Sequence, residues 1–90
     1  MSTNASEDSQ EFFAISNRFI ELANEMNSDF PRARISASLL YSAARYNAFS
    51  WLKREVMPEQ TEEEAIDFFV AQYRQLLRNN MDAMKLEPLK

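Results

Sequence analysis

The sequence predicts an all-α fold, a single small domain of three helices arranged as a bundle. Three observations carry this. Apolar residues recur at steps of three and four in three separate stretches, the breaks between them hold helix-stop and helix-start residues, and no run alternates with a period of two between turn signals. Ninety residues allow one hydrophobic core. With 46% hydrophobic and 27% charged residues, the chain has the composition of a protein that folds.

The first helix is predicted over about residues 8–27. Phe12, Ile15, Phe19, Leu22 and Met26, with Ala23 beside them, make one narrow apolar stripe. Ser6 or Asp8 can accept a backbone N–H at its start, and Asp8 with Glu11 has the spacing of a capping box. Asn27 ends it, as the best left-handed former in a chain with no glycine, and Ser28-Asp29-Phe30-Pro31 makes the turn. Residues 1–7 read as a disordered polar tail: they hold no basic residue and no apolar stretch, so they do not resemble a secretory signal.

The second helix is predicted over about 33–55, opening near Pro31 and closed by Pro58, which lacks an N–H and forces its predecessor out of helical backbone. At about 100° per residue, its apolar side chains fall on two opposed sides. Ile35, Leu39, Tyr46 and Phe49 lie on one. Ala37, Leu40, Ala44, Ala48, Trp51 and Leu52 lie on the other. A helix apolar on two sides must be covered on two sides, either by both neighbouring helices or by one neighbour and a second chain.

The third helix is predicted over about 62–84. Thr61 and Glu64 make a capping box, and Glu62, Glu63 and Glu64 complement the positive end of the helix dipole. Its core stripe is Ile66, Phe69, Val70, Tyr73, Leu76 and Leu77, continued by Met81 and Met84. Asn79-Asn80 either weaken the helix or end it early, and Pro88 stops it. The domain thus spans residues 8–85, with 86–90 as a C-terminal tail. Phe68 lies about 160–200° from the Ile66 stripe, among polar residues.

Absent residue types exclude much chemistry. With Gly 0, Cys 0 and His 0, the chain has no phosphate-cradling glycine loop, disulfide frame, thiol nucleophile, zinc finger or imidazole base. The carboxylates gathered around Glu62 are explained by dipole compensation. No catalytic constellation, metal site or cofactor site is predicted, and the chain is not expected to be an enzyme. No apolar run exceeds four residues, as at Phe68-Phe69-Val70-Ala71, so no membrane span is expected and the cytoplasm is the default compartment.

The net charge of −4 argues against a nucleic-acid partner. Its distribution is uneven: residues 1–30 carry −5, residues 31–57 carry +4 and residues 58–90 carry −3. Two surfaces follow as candidates. Ala37, Leu40, Ala44, Ala48, Trp51 and Phe68 form a candidate interface for a second copy or another protein, small residues allowing close approach and aromatic residues anchoring it. Arg34, Ser38 and Arg45 form a polar strip that either binds a small anion or metabolite or pairs with Glu21, Glu25 or Glu63. Asn47 is a further polar candidate on the same helix.

Pro31-Arg32, Ile35-Ser36-Ala37-Ser38-Leu39-Leu40-Tyr41 and Ala43-Ala44-Arg45-Tyr46-Asn47-Ala48-Phe49, with the later Glu64-Ala65-Ile66, Phe69-Val70 and Gln72-Tyr73-Arg74, form a distinctive pattern. From Phe12 to about Asp82 the chain resembles a family of short uncharacterised bacterial proteins, a domain of unknown function. The resemblance implies a bacterial, cytosolic, all-helical protein and assigns no functional residue.

Overall fold

The computed structural model describes the backbone of residues 3–54 and 59–86 and the side chains of residues 7–54 and 59–86. It is all-α: α1 is Thr3–Met26, α2 is Arg32–Leu52 and α3 is Glu62–Lys85, with no strand among the described residues. The chain divides into two compact units, residues 1–49 and 50–90, so the first holds α1 with most of α2 and the second holds the end of α2 with α3.

α1 starts at Thr3, five residues before the predicted start, and residues 3–7 are helical where a loose tail is expected. No proline or glycine interrupts residues 3–11, so nothing in the local backbone stops the helix from extending beyond its apolar stripe. At the other end the helix stops at Met26 and the chain tightens. The Asn27, Ser28 and Asp29 amides donate to carbonyls three residues back, at 3.2, 3.3 and 3.0 Å, and the Ser28 hydroxyl donates to the Glu25 carbonyl at 2.9 Å. These bonds satisfy carbonyls that the end of an α-helix leaves open.

Pro31 then starts α2 from just outside it. Its carbonyl accepts from the amides of both Arg34 and Ile35 at 3.1 Å, and its fixed φ suits the entry to a helix. α2 ends at Leu52, before the predicted 55. The Arg54 amide donates to the Trp51 carbonyl at 3.2 Å and the Arg54 guanidinium donates to that same oxygen at 2.8 Å, so the side chain completes the C-terminus. The expected stop at Pro58 lies outside the described residues.

α3 begins as predicted. Thr61 is extended, its hydroxyl accepts from the Glu64 amide at 3.1 Å and the Glu64 carboxylate accepts from the Thr61 amide at 3.0 Å, a complete capping box. The helix does not end early at Asn79 and Asn80 but runs on to Lys85. Gln75 donates to the Asn79 side chain at 2.9 Å and Asn80 donates to the Leu76 carbonyl at 2.8 Å, which ties both amides to the helix instead of leaving them to compete with it. Leu86 caps α3, and the expected stop at Pro88 lies outside the described residues.

Packing departs most from expectation. Among the described residues only Ile35, at 8% exposure, and Ala65, at 4%, are buried. The stripes predicted as core lie largely open: Phe12, Ile15, Phe19, Leu22 and Met26 on α1, and Ile66, Val70, Tyr73, Leu76, Leu77, Met81 and Met84 on α3, are all exposed, with Ala23 and Phe69 half-buried. Periodicity tells which residues share a face, but cover depends on a second surface of matching length.

Stability should follow this division. Ile35→Ala is expected to cost about 2 kcal/mol or more in urea unfolding, and Leu40→Ala to stay within about 0.5 kcal/mol. Thr61→Ala is expected to cost about 1 kcal/mol, lowering the thermal midpoint by about 4–8 °C; equal effects at Ile35 and Leu40 would contradict the burial pattern.

Candidate interaction surface

α2 is where the sequence concentrates its candidate residues, and the structure separates them into three groups. On the side predicted to carry Ile35, Leu39, Tyr46 and Phe49, only Ile35 is buried. Tyr46 and Phe49, three residues apart, lie with ring centroids 6.4 Å apart and tilted by 43°. On the opposite side Ala37, Leu40, Ala44 and Ala48 are all exposed, Leu40 at 54%. Both apolar sides of the helix therefore retain accessible surface.

Trp51, at the end of the second side, differs from its neighbours there. It is half-buried within the second unit, where its indole N–H donates to the Gln60 side-chain oxygen at 2.7 Å. The Arg54 guanidinium stacks over its ring at 3.7 Å from the centroid and also donates to the Gln60 carbonyl at 3.4 Å. A cation over an indole face, with the indole N–H satisfied, is a self-contained arrangement. Trp51 thus anchors the end of α2 within the chain, and about its half-buried ring the Arg54 guanidinium and the Gln60 side chain already gather. The i, i+3 spacing of Trp51 and Arg54 at the end of a helix was the signal for this; Gln60, nine residues away across the link, carries none.

Phe68 is exposed at 57%, as its position off the main stripe predicts, and packs edge-on against Phe69 at 5.7 Å with an interplanar angle of 70°. Phe12 and Phe13 repeat this geometry on α1, at 5.2 Å and 81°. Sequential aromatic pairs of this kind cover one edge of each ring and leave the rest accessible.

Arg34, Ser38 and Arg45 are exposed on one strip of α2, and among the described residues no ion pair joins either arginine to Glu21 or Glu25. Helix geometry also limits what they do together. Arg34 and Arg45 are eleven positions apart on a continuous helix, about 16 Å along its axis, too far for both guanidiniums to grip one small anion. Asn47 is half-buried, and no hydrogen bond of its side chain is formed among the described residues.

Among the described residues no group of three or more histidine, cysteine, aspartate or glutamate side chains is placed to hold a metal ion. No described helix is long and apolar enough to cross a membrane. What the chain presents is an all-helical scaffold with apolar residues along the outside of each helix.

The chain belongs to the family described as protein of unknown function DUF3144, whose model matches residues 12–84. That span takes in the apolar stripe of α1, all of α2 and nearly all of α3. No curated protein and no solved structure matches the chain.

The Trp51 anchor is directly measurable, because the chain has one tryptophan. Gln60→Ala and Arg54→Ala are each expected to shift its fluorescence emission to longer wavelength and to cost about 1 kcal/mol. Unchanged emission in both variants would show that neither side chain covers the ring.

Proposed function

We propose that the protein acts by binding, as a helical module that joins a second copy or another protein through the outward apolar faces of its helices. The observation that carries this is the exposure of stripe residues on every helix, from Phe19 on α1 through Leu40 on α2 to Leu77 on α3. Contiguous apolar surface is costly to leave in water and marks interaction sites. Ala37, Leu40, Ala44 and Ala48 supply close approach on α2, and Phe68 supplies an aromatic anchor on α3. A bacterial, cytoplasmic setting without nucleic-acid or membrane partners is part of the same reading and rests on the family resemblance, the acidic net charge and the short apolar runs.

Binding of a small anion by Arg34, Ser38 and Arg45 is the less favoured reading, since the spacing of the arginines leaves at most Arg34 with Ser38 on one ligand. No catalytic role is proposed.

Two measurements together test the binding reading: the mass in solution by sedimentation equilibrium, and the fluorescence of a dye that lights up on apolar protein surface. Open faces require either self-association or, in a monomer, strong dye binding. A 10.5 kDa monomer that binds no dye would mean that the faces are covered within the chain, and the reading fails.

A further inference from the structure

The three helices differ in whether they can pair with their own copy. α1 carries Glu7, Asp8, Glu11, Glu21 and Glu25 against Arg18 alone, and α2 carries Arg32, Arg34 and Arg45 with no acid. Two copies of α1, or two of α2, would bring like charges together in either orientation. α1 and α2 are instead opposite to one another, and most of α2 shares a compact unit with α1.

α3 is different. Glu62, Glu63, Glu64 and Asp67 make its first half net −4, and Arg74, Arg78 and Lys85 against Asp82 make its second half net +2. Set antiparallel to a second α3, the acidic half of each lies beside the basic half of the other; set parallel, like faces like. The helix also has the apolar seam such pairing needs. Ile66, Val70, Tyr73 and Leu77 keep a four, three, four spacing that reads the same from either end, and all four are exposed. Its 24 residues run about 36 Å, long enough for pairing over several turns.

Resting on the reading of the exposed faces as interaction surfaces, we infer that the occupant of the α3 face is α3 of a second copy, joined antiparallel about a two-fold axis. The interface is isologous: each residue of the seam meets its counterpart from the other end, so Ile66 of one copy lies near Leu77 of the other and Val70 near Tyr73, a register that sets Asp67 beside Arg74 and Glu63 beside Arg78. Charge sets the orientation and the apolar seam supplies the affinity.

The seam and the charges can be tested separately on the full chain. Sedimentation equilibrium should give twice the 10.5 kDa chain mass, and Leu77→Lys should return it to the single mass with its helical circular dichroism retained. The double variants Glu63→Lys with Asp67→Lys, and Arg74→Glu with Arg78→Glu, should each weaken dimerisation by about tenfold or more, while mixing the two should restore it, since each then supplies the charge the other lacks. Restoration on mixing also shows that both variants fold. Because the chain has no cysteine, Ile66→Cys and Leu77→Cys chains should form a disulfide-linked dimer when mixed and neither alone.

A monomer that binds the apolar dye would overturn the pairing of α3 with itself and leave the binding reading standing. A monomer that binds no dye overturns both. A dimer indifferent to the charge reversals, or one in which Ile66→Cys chains cross-link to themselves, would overturn the antiparallel α3 seam.

Discussion

A helix of some twenty residues is only marginally stable alone in water, because nucleation is costly and each further residue gains little; the rest must come from covering its apolar face. Everything else in this chain follows from how far that requirement is met within one copy. Among the described residues Ile35 and Ala65 meet it, each near a helix start, next to the turn or cap that fixes the direction of the chain. Ile35 donates its amide to Pro31, and Ala65 donates its amide to Thr61. Burial and backbone definition therefore coincide near the starts of helices, and the middles stay exposed.

Where the chain does hold itself together, it does so with polar groups at those ends. Thr61 and Glu64 exchange hydrogen bonds at the head of α3, Arg54 closes the tail of α2, and Trp51 and Gln60 tie that tail to the residue preceding the cap. Without glycine, helix ends cannot rely on left-handed backbone, and side chains take over the task. Ser28 at the end of α1 and Arg54 at the end of α2 both donate a side-chain hydrogen bond to a carbonyl of the last turn that also accepts from their own amide.

Charge has a second role in the proposed association, in choosing which helices pair. The acidic α1, the basic α2 and the divided α3 are three distinct electrostatic labels on helices of similar length and hydrophobicity. Apolar stripes attract one another with little discrimination; like charges beside them exclude some pairings and leave others. In the proposed association this gives a use to the strong segregation of charge in a chain whose net value is only −4.

The all-α class, the three helices and the ends set by Pro31 and Thr61 were legible in the sequence, because helical period and caps are local properties of neighbouring residues. The family resemblance was legible for the same reason. Other features were not. The early start of α1 lacks an apolar signal, and the union of Trp51 with Gln60 crosses a link whose path no local pattern specifies. The burial of Ile35 in contrast to the exposure of Leu40, Leu77 and Phe19 was equally out of reach. All four sit correctly in amphipathic patterns, but a pattern states only that a face needs cover. Whether cover comes from the same chain is decided by tertiary packing, and among the described residues this fold leaves most of that surface exposed.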